Sequence, residues 1–314
     1  MYRIGIDLGG TNTAAGLVDD SLKIIDKISV PTVLPTDPDS LTDGMAMLVR
    51  QLLSRNQLSA KEIHCIGVGV PCTANEENGC MEDAAHLGFE SGAFLEPLRK
   101  KTGIPVFFGN DANAAALGEY STGGYDQDSL IMVTLGTGIG GGIILNGKLW
   151  SGINYAAAEF GHMTIRTDGV PCICGRRGCF ETYGSGYALI RRTRECMETD
   201  RDSLLWQLCG GNPDKVEAKT LFDGAKAGDT AALQILDGYT TDLADGLANI
   251  INIFQPAVLC IGGGISKAGD ILLQPLRKKT ALRICTKNAK RNTQIILARA
   301  DNDAGIIGAA LLGN

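Results

Sequence analysis

Short apolar runs punctuated by glycine open the chain. Ile4-Gly5-Ile6-Asp7-Leu8 predicts a strand, Gly9-Gly10-Thr11-Asn12 a turn and residues 14–18 a returning strand, which together make a hairpin. A turn at Asp19-Asp20-Ser21 leads into a third strand over 23–30, and a Pro- and Asp-rich loop follows over 31–40. Leu41, Met45, Leu48, Val49, Leu52 and Leu53 then recur with the period of a helix across 41–57. Beyond it the pattern predicts a buried strand at 63–70, a helix at 93–102, a strand at 106–108 and a helix opening near Asn110-Asp111-Ala112-Asn113.

The second half begins in the same way. Residues 130–135 predict a strand, the glycine-rich stretch 136–142 a turn, 143–145 a return, and Asn146-Gly147 a tight hairpin. Set beside Gly5 to Thr11, the run Val133-Thr134-Leu135-Gly136-Thr137-Gly138 looks like the same device used again. That points to an internal duplication, with two related domains facing a nucleotide. Helical patterns cover 186–194, 218–254 and 268–279, with a strand at 257–261 among them. A strand at 293–298 and a small-residue helix over 302–312 close the pattern.

A length of 314 residues fits two domains at roughly 150 residues each. With 44% hydrophobic and 20% charged residues the composition is globular rather than disordered. The net charge of −6 has the wrong sign for a protein that neutralises phosphate backbones, so no nucleic-acid partner is expected. No apolar run reaches the ~18 residues of a membrane span, and the first residues run straight into a strand pattern, so a cytoplasmic protein without a membrane partner is expected. Ten cysteines in such a chain are poor evidence for disulfides. Three of them, however, crowd together at Cys172, Cys174 and Cys179.

Both glycine turns lie between strands. This excludes the dinucleotide fingerprint, which opens a helix, and the P-loop, which needs Gly-Lys before Ser or Thr. Glycines in such a hairpin let backbone N–H groups approach anionic oxygens closely. Asp7 places a carboxylate beside those oxygens, where a divalent cation such as Mg²⁺ would have to stand between like charges; the alternative is a side chain that caps the turn. Gly262-Gly263-Gly264 serves equally as a strand-to-helix turn or a nucleotide contact. Asp111, at a strand-to-helix junction, is either the helix cap or a general base for a substrate hydroxyl. Glu159 and His162 precede Cys172, Cys174 and Cys179, and Glu181 follows them. Three thiolates and an imidazole form a closed tetrahedral set for structural zinc, against the alternative of plain buried thiols. His64 and His86 have no such company.

On these residues the chain resembles the ROK family (repressors, open reading frames, kinases), most of all its bacterial ATP-dependent glucokinases. The likeness runs from Ile4-Gly5-Ile6-Asp7-Leu8-Gly9-Gly10-Thr11-Asn12 to Asn302-Asp303-Ala304-Gly305-Ile306-Ile307-Gly308-Ala309-Ala310. Its most specific marks are Asn110-Asp111-Ala112-Asn113-Ala114-Ala115, Leu135 to Gly142, Glu159-x-Gly161-His162 and Cys172-x-Cys174-Gly175-x-x-Gly178-Cys179-x-Glu181. The resemblance implies an α/β fold of two actin-like, ribonuclease-H-like ATPase domains with a cleft for ATP and a sugar. The smaller domain would comprise residues 1–115 with the C-terminal helix 302–314, and the larger 116–301 with the zinc segment.

It further implies phosphorylation of a hexose at its 6-hydroxyl, glucose to glucose 6-phosphate, by a homodimer using ATP, Mg²⁺ and structural Zn²⁺. Asp111 would be the base, and Asn110, Glu159, His162 and Glu181 would join it in binding the sugar. Asp7, Gly9, Gly10, Thr11 and Asn12, with Gly136, Thr137 and Gly138, would hold phosphates and Mg²⁺, while Gly262, Gly263 and Gly264 would lie near the adenosine. His162, Cys172, Cys174 and Cys179 would ligate zinc. Cys72, His86, Tyr155 and Ala158 depart from the family pattern near the sugar, which keeps another hexose or an N-acetylhexosamine open as the acceptor. A repressor role would call for a DNA-binding segment ahead of the first phosphate motif, whereas that motif here begins at Ile4.

Overall fold

The structure is a computed structural model and describes residues 1–300 and 303–313. In chain order the strands are β1 (Tyr2–Leu8), β2 (Asn12–Val18), β3 (Ile24–Pro31), β4 (Ile63–Val70), β5 (Thr73–Asn75), β6 (Cys80–Glu82), β7 (Ser91–Ala93), β8 (Val106–Asn110), β9 (Leu130–Leu135), β10 (Ile139–Leu145), β11 (Lys148–Leu149), β12 (Val258–Gly262) and β13 (Gln294–Leu297). The helices are α1 (Pro38–Arg55), α2 (Leu95–Thr102), α3 (Asp111–Thr122), α4 (Glu181–Gly184), α5 (Gly186–Thr199), α6 (Leu205–Leu208), α7 (Ala218–Lys226), α8 (Thr230–Phe254), α9 (Asp270–Ala281) and α10 (Ala304–Leu311).

Two five-stranded sheets share one topology. Their strand orders are β3-β2-β1-β4-β8 and β11-β10-β9-β12-β13, so in each the first three strands run outward to one edge and the last two extend the other. The repeat seen in the glycine turns is therefore a repeat of the whole sheet. In the first, β1 pairs antiparallel with β2 and parallel with β4, and β4 runs parallel to β8.

The chain folds into two compact units, one made of Met1–Met132, Gly142–Ala158 and Arg299–Asn314, the other of Val133–Gly141 and Glu159–Ala298. This division falls later than the expected 115/116 boundary, because α3 stays with the first unit by packing on α10. Asn302 and Asn314, which the expected closing segment includes, lie outside the described residues.

In the first unit the core is built from alternate residues of β1 (Ile4, Ile6, Leu8), the run Ile66, Val68 and Val70 of β4, and the apolar stripe of α1. Pro38 opens α1 and the Asp37 side chain accepts from the Ser40 N–H, so this helix starts three residues before its apolar stripe. On another side α10 comes unusually close. A Cβ on Gly5 would lie 1.8 Å from the Ile306 carbonyl oxygen, and one on Gly67 1.7 Å from that of Ala309. α10 also meets α3 closely: a Cβ on Gly118 would fall 2.0 Å from the Ala304 oxygen, and one on Gly308 1.6 Å from that of Ala114. Backbone touches backbone along the whole helix.

Several elements differ from expectation for local reasons. β10 begins at Ile139, so Gly140 to Gly142 lie in a strand and the turn is confined to 136–138; Gly142 sits where a Cβ would press within 2.4 Å of the Ala116 Cβ. The expected helix 218–254 is two helices, because Gly228 takes φ +82° and Asp229 then caps α8 by accepting from the Ala232 N–H. The small sheet β5-β6-β7 has strands of three residues, too short to show alternation. Among the described residues no helix is long and apolar enough to cross a membrane.

Gly308→Ala tests the close packing. Helix propensity alone would stabilise the variant by about 1 kcal/mol, whereas overlap with the Ala114 carbonyl is expected to destabilise it by about 2 kcal/mol or more. Urea unfolding reads the sign directly.

Candidate active site and metal centre

In the first unit, two carboxylates stand at the C-terminal ends of parallel strands. Asp7 pairs with Gly69 of β4, and Gly69 pairs with Gly109 of β8, two residues before Asp111. Gly69 lies beside the start of α3: a Cβ there would be in van der Waals contact with the Asp111 Cα, at 3.4 Å. The carboxyl ends of parallel strands are where open α/β sheets hold their ligands. Burial raises the Asp7 carboxyl above its usual range, opposed in part by the Lys27 ammonium. A half-buried acid of that kind fits a hard cation such as Mg²⁺.

The turn after Asp7 is held from below. The Gly9 N–H donates to the Asn12 carbonyl at 3.0 Å, Thr32 donates its hydroxyl to the Gly9 carbonyl at 2.7 Å, and the Thr32 N–H reaches the Thr11 carbonyl at 2.8 Å. Gly10 and Thr11 stay exposed at the tip. A Cβ on Gly10 would meet nothing within 4 Å, so packing does not require glycine there; an approaching anionic group would.

Which residue caps α3 is settled by its hydrogen bonds. The Asn110 side chain accepts from the N–H groups of Ala112 and Asn113, at 2.9 and 3.2 Å, so Asn110 is the cap. Asp111 is the first residue of the helix, and its Oδ1 accepts from the Ala112 N–H at 2.7 Å. With Oδ1 of Asn110 committed, its Nδ2 donates to the Cys72 carbonyl at 3.5 Å and keeps a second N–H. Burial, then the carboxylates of Asp111 and Asp83, push the Cys72 thiol up to about 12, so this unusual residue adds no charge beside Asp111. His86 is exposed in a single helical turn, Ala85–Leu87. Tyr155 and Ala158 both adopt left-handed backbone, at φ +61° and +69°. That conformation explains why glycine suits these positions, and both residues hold it at some strain.

In the second unit, Glu159 is followed by the turn Phe160–His162, and Glu181 opens α4. Glu181 Oε2 accepts from the Ile139 N–H at 2.9 Å, which ties α4 to the start of β10. A Cβ on Gly138 would fall 2.3 Å from that same oxygen, so a side chain there would displace the Glu181 carboxylate. Gly136 carries no such constraint, having nothing within 4 Å, and resembles Gly10. Gly263 turns at φ +80° against the Leu135 backbone, a structural reason for that glycine.

His162, Cys172, Cys174 and Cys179 bring one donor atom each within 4.8 Å of one another. Cys172 Sγ lies 3.6 Å from His162 Nδ1, and Cys174 Sγ lies 3.6 Å from Cys179 Sγ. A tetrahedron with Zn–S bonds of about 2.3 Å has edges of about 3.8 Å, so the donor set fits zinc. Because Nδ1 turns toward the thiols, Nε2 is left for another partner. The Arg176 backbone N–H lowers the Cys174 thiol toward its thiolate.

Sequence reasoning misses what carries this segment. Asp242 of α8 is buried and ion-paired with both Arg166 and Arg192. Both guanidinium groups lie over the Tyr183 ring, 4.8 and 5.8 Å from its centre, and the Tyr183 hydroxyl accepts the Val170 N–H at 2.8 Å. The zinc segment, α4, α5 and α8 are thereby joined. Acid and bases lie too far apart in sequence for any motif to reveal the group.

The fold and the site together define the class. The ROK family domain covers residues 3–314, and the chain belongs to the ROK family. It is similar to the glucokinase of Thermotoga maritima, 37% identical over 312 residues, 99% of this chain and 96% of that one. The Streptomyces coelicolor glucokinase is 36% identical over 310 residues, 98% and 96% of the two chains. A crystal structure of a ROK family glucokinase from Streptomyces griseus in complex with glucose and AMPPNP superposes with a TM-score of 0.85, at 32% identity and 99% coverage of both chains.

Cys174→Ser is expected to lose zinc and to raise the sugar KM or abolish turnover, against about one zinc per chain in the unaltered protein; elemental analysis beside steady-state kinetics checks both. Ala158→Gly is expected to raise stability by about 0.5–1 kcal/mol, the relief of a left-handed alanine less the added freedom of the unfolded chain, as read by thermal unfolding.

Proposed function

We propose that this protein phosphorylates glucose at its 6-hydroxyl with ATP. The observation that carries the reading is the pair of carboxylates, Asp7 and Asp111, at the ends of parallel strands of one sheet, with Asn110 relieving Asp111 of the cap. The likeness to glucokinases over nearly the whole chain supports glucose as the acceptor.

Asp111 accepts the proton of the sugar hydroxyl as its oxygen bonds to the γ-phosphorus and the bond to the ADP oxygen breaks. Such chemistry asks the protein mainly for position and charge stabilisation. Backbone N–H groups of Gly10, Thr11 and Thr137 hold the phosphate oxygens, while Gly9 and Gly136, whose N–H groups donate within their own turns, shape those turns. Asp7 would hold Mg²⁺, which would supply positive charge to offset that of the phosphates, with Asn12 at the rim of the same turn. Gly262 to Gly264 border the adenosine. Asn110 Nδ2, Glu159, His162 Nε2 and the second oxygen of Glu181 bind the remaining sugar hydroxyls. Zinc, when bound, cross-links the ends of the segment that carries His162.

Asp111→Asn keeps the cap and the shape but removes the base. It is expected to bind sugar while transferring phosphate at least ~10²-fold more slowly; turnover within a few-fold of the unaltered enzyme would remove Asp111 from this role. A coupled ADP-release assay across hexoses and N-acetylhexosamines tests the acceptor. Glucose is expected to give the highest kcat/KM, and a tenfold advantage for another sugar would replace it while leaving the kinase chemistry in place.

A further inference from the structure

Away from these residues, α8 and α9 leave a hollow of about 370 Å³ beside β13. That volume falls within the range of small-ligand sites. Ile251 and Ile284 give it apolar walls, while Arg277, Thr280 and Lys287 supply polar groups, and no aspartate or glutamate lines it. Arg277 is preset: its Nε donates to the Ile295 carbonyl at 2.7 Å, which fixes the plane of the guanidinium. Among the described residues, its terminal nitrogens and the Lys287 ammonium take part in no hydrogen bond or ion pair. Thr280 is 1% exposed and its hydroxyl has no partner among the described residues.

The local charge points the same way. From Ile271 to Ala298 the sequence holds seven lysines and arginines and no acidic residue, in a chain whose net charge is −6. The C-terminal end of α9 accounts for Lys278 and Lys279. Lys279 is further satisfied by Asp237, and Arg283 by Asp245. Arg277 and Lys287, the two cations that line the hollow, are exposed and make no ion pair among the described residues. β13 is the last strand of its sheet, so the polar backbone groups on its outer side have no neighbouring strand.

We propose that this hollow is a second ligand site, which takes a small organic phosphate monoester. A preset guanidinium and an ammonium match a dianionic phosphate, and the two cations balance its charge. The isoleucine walls and the volume accommodate an organic body that orthophosphate lacks. No residue of this site belongs to the kinase machinery, so the assignment stands whichever sugar is phosphorylated.

Isothermal titration at low salt tests it, with a hexose 6-phosphate, AMP, orthophosphate and uncharged glucose as probes, on the unaltered protein and on Lys287→Glu and Lys287→Arg. Hexose phosphate and AMP also resemble ligands of the kinase site, and binding there is untouched by a change at Lys287. The difference between the proteins therefore reports the hollow alone. At least one monoester is expected to show a binding event that weakens tenfold or more in Lys287→Glu and persists in Lys287→Arg, with kcat and both KM values unchanged. The two monoesters distinguish a sugar phosphate from a nucleotide as the occupant. Equal binding of every probe to all three proteins would overturn the site, as would no binding beyond that of the kinase site. Orthophosphate binding as tightly as the monoesters would overturn the organic part of the assignment.

Discussion

The first unit depends on the close contact of α10 with β1, β4 and α3. Glycines on both sides let helix backbone lie on strand and helix backbone, with no side chains between them. β1 ends in Asp7, and α3 opens with Asp111. The helix that packs against both elements thus fixes the platform from which both carboxylates project. Gly305, at the start of α10, comes so near Asp7 that a Cβ there would lie 2.8 Å from its Oδ2. Packing and chemistry meet at that residue, and a side chain would intrude on the carboxylate itself.

The second unit achieves rigidity by other means. Its zinc segment has few apolar residues to bury, so order comes from directional contacts: the Cys₃His cluster, the Glu181 bond to the Ile139 N–H, and the Asp242 pairs with Arg166 and Arg192. A buried carboxylate between two guanidinium groups contributes more to uniqueness of arrangement than to net stability, because desolvation offsets much of the attraction. Glu181 links this framework to the glycine turn at 136–138. The same side chain thereby couples the order of the Cys₃His segment to that of the 136–138 turn.

Much of this was legible in the residue pattern. β4 and β9 have the expected limits because a continuous apolar run admits few alternatives. The repeated hairpin pointed to two related halves, matched by two sheets of like topology, and the crowding of three cysteines downstream of His162 pointed to the cluster. The unread parts rest on contacts distant in sequence. Whether Asp111 caps α3 or stands free of the cap is open on paper, and hydrogen-bond geometry decides it by giving the cap to Asn110. Arg166 and Asp242 stand 76 residues apart. Gly5 reads as an ordinary strand residue until α10 is seen against it. Strands as short as β5, β6 and β7 leave no periodic trace at all.

The first unit is discontinuous, and this bears on how the protein is made. Roughly 180 residues separate the end of α3 from the start of α10. At about 5–20 residues per second a ribosome needs roughly 10–40 s to cross that interval. Throughout it, the glycine faces of β1 and β4 stand without the helix that covers them, while the whole second unit is synthesised and can fold. The nascent first sheet is therefore the part most exposed to chaperones and to mispairing, although it emerges first.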